Sequence, residues 1–407
     1  ILEYQPWQLS LWDRLATKQF EQGKFEDSIN TLNFILTKKP LTIEQSILLS
    51  QAYFEIDLHE KSAEIWRRIL DDPGVGPEQL KKLYKIQQKS GDWAGAYQSL
   101  KKWHQIDPNH PEALQQLLLS EILYEPEKTI QIINDLTLTE FDFVMTDLKT
   151  ILSSDNPTYR LVLAGNIYAK LGEWNYAVEA YSKVVELDPT YAEGWAFYGN
   201  SLINTGENGY FALEKAYNLS PKSKISRAYL ASYWSNQKDF QKSIKIYEEL
   251  IAEDPSEPIW YLELGNTYIQ IADLEQAMLA FQKTTELDPE NIYYLINLAR
   301  HSGEFRFEIQ NIGIPAARQA LLIESQNWEV YDVIGWLYLL EREYTTAERF
   351  LSIAHQYFPE SPIVNLHLGQ LYSLQNRPSL ANYYLEKCIK YADDEEMVSL
   401  AKKFISP

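Results

Sequence analysis

A pattern of 34 residues recurs along the whole chain, and residues 258–291 show it most clearly. This stretch is typical of two helices, because its apolar residues recur at helical spacing. The small residues Gly265 and Ala277 would let the two backbones approach closely, and Pro289 would end the second helix because proline lacks an amide donor. The sequence therefore predicts a helix-turn-helix unit that is repeated, rather than one globular core.

Alignment on the small residue of the first helix and on the proline after the second predicts eleven repeats. They begin at Leu9, Ile43, Pro77, Pro111, Thr158, Ala192, Lys224, Pro258, Ile292, Trp328 and Pro362. All steps but one are 32 to 36 residues long, and the exception is a step of 47 residues after the fourth repeat. We therefore expect a leader segment (1–8), repeats 1–4 (9–124), an irregular helical joint (125–157), repeats 5–11 (158–394) and a C-terminal capping helix (395–407).

Charge and cysteine content narrow the classes of partner and site. The formal net charge of −20 argues against nucleic acid and anionic lipid as partners, and it permits a basic protein partner. A solvated acidic surface that keeps a long repeat chain soluble is the alternative explanation of this charge. Cys388 is the only cysteine, so no internal disulfide or cysteine-based zinc site is possible, and its place in the eleventh repeat predicts a buried core residue. No apolar run is long enough to predict a membrane span.

No catalytic motif stands out in the chain. The six histidines are scattered, and no nucleophile elbow, phosphate-binding loop or zinc-binding H-E-x-x-H sequence occurs. His104 and His110 flank the end of a predicted helix without a third metal ligand nearby in sequence. We therefore expect no enzymatic activity, no metal and no cofactor.

The fifth, eighth and tenth repeats match the pattern W-x₂-L-G-x₂-Y…G-x-Y/W…A-x₃-F/Y-x₂-A…P residue by residue. Over roughly residues 9–395 the chain thus resembles the tetratricopeptide repeat (TPR) family. The resemblance implies a right-handed superhelix, an α-solenoid, that binds a protein or peptide in a concave groove lined by the first helix of each repeat.

Two TPR subtypes are not matched. The clamp that grips a C-terminal carboxylate needs Lys and Asn, but this chain has Asp13 and Thr17 at the corresponding positions of its first repeat. The asparagine ladder of TPR-armed glycosyltransferases is also missing, because the sixth position of successive repeats holds Leu163, Phe197, Tyr229, Glu263, Asn297, Val333 and His367.

The predicted partner-binding residues lie at the second, fifth, ninth and twelfth positions of the first helices, which share one face. They are Asn166, Asn200, Ile203, Leu262, Asn266, Ile269, Arg300, Trp336, Leu339 and Gln370. Asparagine can hold a peptide backbone, the apolar residues can receive apolar anchors, and Arg and Trp dominate binding hot spots. The alternatives are hydrogen bonding between helices for the asparagines and intramolecular stacking for Arg300 and Trp336.

These features predict a non-catalytic scaffold that binds a peptide or partner domain, with a basic or apolar-anchored ligand. One alternative is a structural assembly subunit that self-associates or holds a membrane complex together, anchored through a segment before Ile1. Another is the TPR arm of a larger enzyme. The sequence leaves the cellular compartment open, because the chain could be tethered or exported through such a preceding segment.

Overall fold

A computed structural model describes residues 8–136 and 144–405. Within these ranges the chain is built from 24 α-helices, and it contains no β-strand. The helices are α1 Leu9–Glu21, α2 Phe25–Leu36, α3 Ile43–Phe54, α4 His59–Asp71, α5 Pro77–Lys89, α6 Trp93–Ile106, α7 Pro111–Tyr124, α8 Pro126–Leu136, α9 Met145–Ser153, α10 Pro157–Leu171, α11 Trp174–Leu187, α12 Ala192–Asn204, α13 Tyr210–Leu219, α14 Lys224–Asn236, α15 Phe240–Glu253, α16 Pro258–Gln270, α17 Leu274–Leu287, α18 Ile292–Glu304, α19 Ile314–Ile323, α20 Trp328–Leu340, α21 Tyr344–Tyr357, α22 Pro362–Leu374, α23 Pro378–Tyr391 and α24 Glu395–Phe404.

The predicted fold class, an all-α chain of helix-turn-helix repeats, is confirmed. We call α1, α3, α5, α7, α10, α12, α14, α16, α18, α20 and α22 the first helices, and the helices that pair with them the second helices. Ten of these eleven helices begin at the residue that the repeat alignment predicts, and α10 begins one residue earlier, at Pro157. Proline suits that position because the first turn of a helix does not use its amide donor.

The chain forms two compact units, Ile1–Leu219 and Ser220–Pro407. The stretch predicted as an irregular joint lies inside the first unit and contains α8 and α9. Residues 137–143 of this stretch lie outside the described ranges. Most of the predicted leader and the last two residues of the predicted cap also lie outside them. None of the described helices is long and apolar enough to cross a membrane.

The two helices of a repeat touch where the first helix carries a very small residue. A Cβ added to Gly265 would lie 2.5 Å from the Phe281 ring, and one added to Gly369 would lie 2.5 Å from Leu385. In each pair the large residue follows the glycine by sixteen positions. The hydrophobic core therefore runs along the seam between first and second helices, and the sole cysteine, Cys388, is fully buried in it as predicted.

Besides the fourth repeat, two repeats depart from 34 residues, and both absorb the change around the second helix. In the sixth repeat α13 has only ten residues, and a Cβ on Gly209 would lie 2.0 Å from the carbonyl oxygen of Gly199. The two backbones thus meet directly in this shortened repeat. In the ninth repeat the longer connection contains a π-helical turn, Ile309–Gly313, that leads straight into α19.

In most repeats the first helix ends at a residue whose backbone has the left-handed conformation, with positive φ. Four of these residues are glycines, and six others, Asp57, Lys238, Ala272, Arg306, Arg342 and Asn376, have positive φ at the equivalent turn. The turns after α10 and α16 have matching hydrogen bonds, because Gly172 N–H donates to Ala169 O (3.1 Å) and Ala272 N–H donates to Ile269 O (3.0 Å). Both positions are exposed, so backbone strain is the main difference between them.

We expect Gly172→Ala to lower the free energy of unfolding by about 1 kcal/mol, because alanine is strained at φ +74° and an added Cβ meets no atom within 4 Å. The reciprocal change Ala272→Gly should raise it by about 0.5 kcal/mol. Urea unfolding of both variants, with hydrogen exchange of the flanking helices, measures the two effects. Changes of the same sign in both variants would contradict the shared turn geometry.

A buried polar network joins three repeats of the first unit. The hydroxyl oxygen of Tyr176 on α11 accepts from Gln88 Nε2 on α5 at 3.1 Å and lies 3.2 Å from Ser120 Oγ on α7. The Tyr84 hydroxyl on α5 donates to Gln116 Oε1 on α7 at 2.6 Å. Because α5, α7 and α11 belong to the third, fourth and fifth repeats, this network connects repeats on both sides of the predicted joint.

Glu121 on α7 is a buried carboxylate in the same unit. Its Oε2 atom has no hydrogen-bond partner among the described residues, and burial raises the pKa of Glu121 to about 7. The charge of Glu125 acts in the same direction, whereas the ammonium groups of Lys101 and Lys128 oppose it. The folded state therefore keeps this proton to a higher pH than the unfolded chain, whose carboxyl has the ordinary pKa of 4.5.

The contribution of Glu121 to stability is therefore present at low pH and is lost as the pH rises from about 4.5 to about 7. We expect Glu121→Gln to stabilise α7 at pH 8 and to change it little at pH 4. Glu112→Gln, on the same helix, is the control of opposite sign, because a hydrogen bond from Lys81 lowers the pKa of Glu112. Hydrogen exchange of α7 amides at the two pH values measures both variants, and a destabilised Glu121→Gln at pH 8 would contradict the prediction.

Candidate functional site

Two cavities in the second unit open along its first helices. The first, which we call the Glu263 cavity, has a volume of about 260 Å³ and is lined by Ser232, Ser235, Asn236, Lys238, Tyr247, Glu263, Asn266, Thr267 and Gln270. The second, the Arg300 cavity, has a volume of about 410 Å³ and is lined by Ile292, Tyr293, Ile296, Asn297, Arg300, His301, Glu304 and Glu329. The two cavities include two of the predicted partner-binding residues, Asn266 and Arg300.

The Glu263 cavity lies between α14 and α16, with Tyr247 of α15 also on its wall. Its walls are formed by hydroxyl, amide and charged side chains. Helix α16 presents Glu263 and Asn266 three residues apart, so they lie on one face of the helix. Gly265, between them, points toward Phe281 of α17. The approach of α16 to its second helix thus orients the polar side chains of α16 away from that seam.

Within residues 8–136 and 144–405, no cation is paired with the carboxylate of Glu263. Burial raises the pKa of its carboxyl, and the opposing influence is a hydrogen bond that the Asn266 amide donates to it. Lys238 lies at the same cavity but is exposed, and its charge is not among the causes that shift this pKa. The negative charge of Glu263 in turn helps to raise the pKa of Tyr247, although burial of the phenol is the main cause.

The Arg300 cavity combines an apolar wall with paired charges. Tyr293 is 60% exposed at its rim, and Ile292 and Ile296 belong to the same helix. Arg300 on α18 donates to Glu329 on α20 at 2.5 Å. A partly exposed pair of this kind contributes little to stability, so an external ligand can compete for either member.

An unsatisfied acceptor lies in the same cavity. The amide oxygen of Asn297 is buried, and no donor in the described part of the chain reaches it. His301 Nδ1 is already 3.0 Å from Glu304 Oε2, so that pair is satisfied within α18. The arrangement offers acceptors to a ligand with N–H groups and an apolar face to its carbon atoms.

Trp336 packs inside the second unit. Its ring stacks on His367 of α22, with ring centroids 5.5 Å apart, and it leaves no room for a side chain at Gly303, where an added Cβ would lie 2.4 Å from the indole. His367 in turn contacts the buried Asp332 at 2.8 Å. The intramolecular stacking that the sequence left open as an alternative for Trp336 is therefore present.

The other predicted residues of the second unit differ in exposure. Leu262 and Leu339 are only 3% and 5% exposed and pack in the hydrophobic core, so little of either side chain is available to a partner. The side chains at these two positions face neighbouring helices, whereas the repeat pattern predicted that they face the groove. Ile269 is half-buried against the same core, and Gln370 is half-buried on α22.

The predicted residues of the first unit are all half-buried. Asn166 accepts a hydrogen bond from the Tyr181 hydroxyl at 2.6 Å, so it joins α10 to its second helix. This is the helix-to-helix role that the sequence offered as an alternative for the asparagines. Asn200 and Ile203 lie on α12.

Sequence reasoning overlooked Glu263 and Glu329 as site residues. A signal for Glu263 was present, because the sixth position holds Leu163, Phe197, Tyr229 and Val333 in other repeats, and a carboxylate in that row stands out. No such signal existed for Glu329, whose role depends on the distance between α18 and α20. Across the described residues no group of three or more His, Cys, Asp and Glu side chains is placed to hold a metal ion.

Comparison with known proteins places two segments of the chain in one family. Residues 165–206 match a family model described as TPR repeat, and residues 236–300 match one described as tetratricopeptide repeat. Both segments lie in repeats whose helices are described above.

Curated relatives are similar over parts of their length. Anaphase-promoting complex subunit 3 of Schizosaccharomyces pombe is 19% identical over 68% of this chain and 40% of its own. Type IV pilus assembly protein PilF of Pseudomonas aeruginosa is 28% identical over 34% of this chain and 56% of its own. The matched region thus spans about half of each relative.

A solved structure, that of the APC/C hetero-tetramer Cut9-Hcn1, aligns with 100% of this chain and 98% of its own at 13% identity and a TM-score of 0.47. A score at this level establishes no relationship by itself. The matched family models, together with eleven helix-turn-helix repeats in the described residues, carry the assignment. The chain is a member of the tetratricopeptide repeat family.

Proposed function

We propose that this protein is a non-catalytic scaffold that binds a peptide segment or a domain of a partner protein along the first helices of its second unit. The observation that carries the proposal is the pair of cavities on those helices, one between α14 and α16 and one between α18 and α20. The Arg300 cavity combines an apolar wall with a few polar groups, which is the usual composition of a ligand-binding site.

The Arg300 cavity is suited to an anchor residue of the partner. Tyr293 offers a rigid, largely exposed ring, and such aromatic residues together with arginine dominate binding hot spots. Arg300 can exchange its bond to Glu329 for a carboxylate of the ligand, and the Glu329 carboxylate can then accept from a ligand N–H. An extended or helical segment with an apolar side chain flanked by polar groups fits this chemistry.

The relatives support an interaction role. One is named as a subunit of a complex, and another is named for pilus assembly. Binding of other proteins is the property that these names share, and we extend it to this chain as part of the proposal.

We expect Tyr293→Ala and Arg300→Ala each to weaken binding of the partner about tenfold, because each removes a hot-spot side chain from one cavity. Tyr383→Ala is the matched control, since Tyr383 is 50% exposed on the second helix α23. Affinity capture with all three variants, followed by titration of the captured partners, measures the effect. Partners lost with Tyr383→Ala but retained by the other two variants would contradict binding at the Arg300 cavity.

Trp336→Ala should act differently. Because the indole fills the space above Gly303 and stacks on His367, we expect a loss of about 2 kcal/mol in the free energy of unfolding. Tyr293→Ala should leave unfolding nearly unchanged. Urea unfolding of the two variants checks this contrast. If Trp336→Ala left the stability unchanged, Trp336 would again be a candidate for contact with the ligand.

A second candidate function, assembly through the second helices, rests on exposed apolar side chains. Leu322 on α19 is 87% exposed, and Leu279 on α17 is 53% exposed. Self-association through such residues would bury them. Light scattering over a range of concentrations tests it: a dimer that dissociates in Leu322→Asp favours assembly, and a monomer at all concentrations contradicts it.

A further inference from the structure

Glu263 is half-buried beside a cavity, and no cation in the described part of the chain is paired with it. Partial removal of a carboxylate from water is unfavourable unless a cation or several donors compensate it. Here the identified donor is the Asn266 amide, and the ammonium of Lys238 remains in solvent at the rim. Open space of about 260 Å³ adjoins the carboxylate, which is ample for a small cationic group.

We infer that the Glu263 cavity binds the primary ammonium group of a lysine side chain on the partner protein. The inference rests on the proposed function, because it names the chemistry that one part of the same binding face would recognise.

The walls of the cavity match the needs of an ammonium group. Such a group has three N–H donors and no acceptor, so it requires several oxygen acceptors around one point. Glu263 supplies a negative charge, and the side chains of Ser232, Ser235 and Asn266 supply hydroxyl and amide oxygens on the same walls. The methylene stem of lysine would extend outward to the partner backbone.

Two other cations fit less well. A guanidinium prefers a carboxylate with both oxygens free for a paired interaction, and Glu263 already accepts from Asn266. A divalent metal ion requires more charged ligands than the cavity has, since the described residues form no group of three such side chains.

The net charge of the whole chain also favours a positively charged ligand. At −20, the protein attracts a basic partner over a distance and repels an acidic one. A half-buried acceptor for one lysine would then fix the register of a partner that long-range attraction brings near, because complementary charges at an interface give specificity.

The first experiment uses n-butylammonium as the probe of the lysine side chain. We expect it to raise the unfolding midpoint of the full chain by about 2 °C at ten times its dissociation constant, relative to tetramethylammonium at equal ionic strength. Glu263→Gln, which keeps the shape of the side chain, should abolish the rise, and Glu275→Gln, at an exposed position of α17, should leave it unchanged. An equal rise in wild type and Glu263→Gln, no rise in either, or a larger rise with n-butylguanidinium would overturn the inference.

The second experiment uses an array of short peptides in which each lysine-containing sequence has twins with Nε-acetyl-lysine and with norleucine. For bound peptides we expect acetylation to lower affinity about tenfold for wild type and to have no effect for Glu263→Gln. Peptides whose binding depends on Tyr293 and Arg300 but is unaffected by acetylation would overturn the lysine inference, and the proposed function would still stand. Peptides whose binding depends on none of Tyr293, Arg300 and Glu263 would instead overturn the proposed function, and with it a partner's lysine as the occupant.

Discussion

The structure depends on one steric contact, the close approach of the two helices of each repeat. Gly265 accepts the ring of Phe281 against its backbone, and Gly369 accepts Leu385 in the same way. A side chain at either glycine would collide with its partner, so the helices would have to separate and open the seam. Because each repeat is closed by its own contact, the chain can lengthen by adding repeats without enlarging a single core.

This contact also decides which side chains face outward from the seam. On α16 the glycine points to the second helix, and Glu263 and Asn266, on either side of it in sequence, border the Glu263 cavity. On α18 Gly303 receives Trp336 instead, which holds α20 close enough for Arg300 to reach Glu329. The same packing rule thus produces a polar cavity in one place and a mixed one in another.

The charged groups of the second unit differ in whether a group of opposite charge lies nearby. Arg300 has Glu329 within hydrogen-bond distance, whereas Glu263 is half-buried with an amide as its donor. A carboxylate with a raised pKa that lines a cavity is a candidate for a binding site, because a ligand can complete the charge balance.

The sequence by itself determined the repeat and its register. The period of 34 residues, the small residue in each first helix and the proline after the second predicted ten helix starts to the residue. These features are local, because a helix begins, ends and chooses its buried face from its own residues. Only the tertiary structure decided which side chains of the first helices are accessible, since Leu262 and Leu339 occupy predicted groove positions but are buried by neighbouring repeats. The distance and angle between successive repeats set that burial, and they depend on contacts such as Trp336 on Gly303 that join residues far apart in the chain.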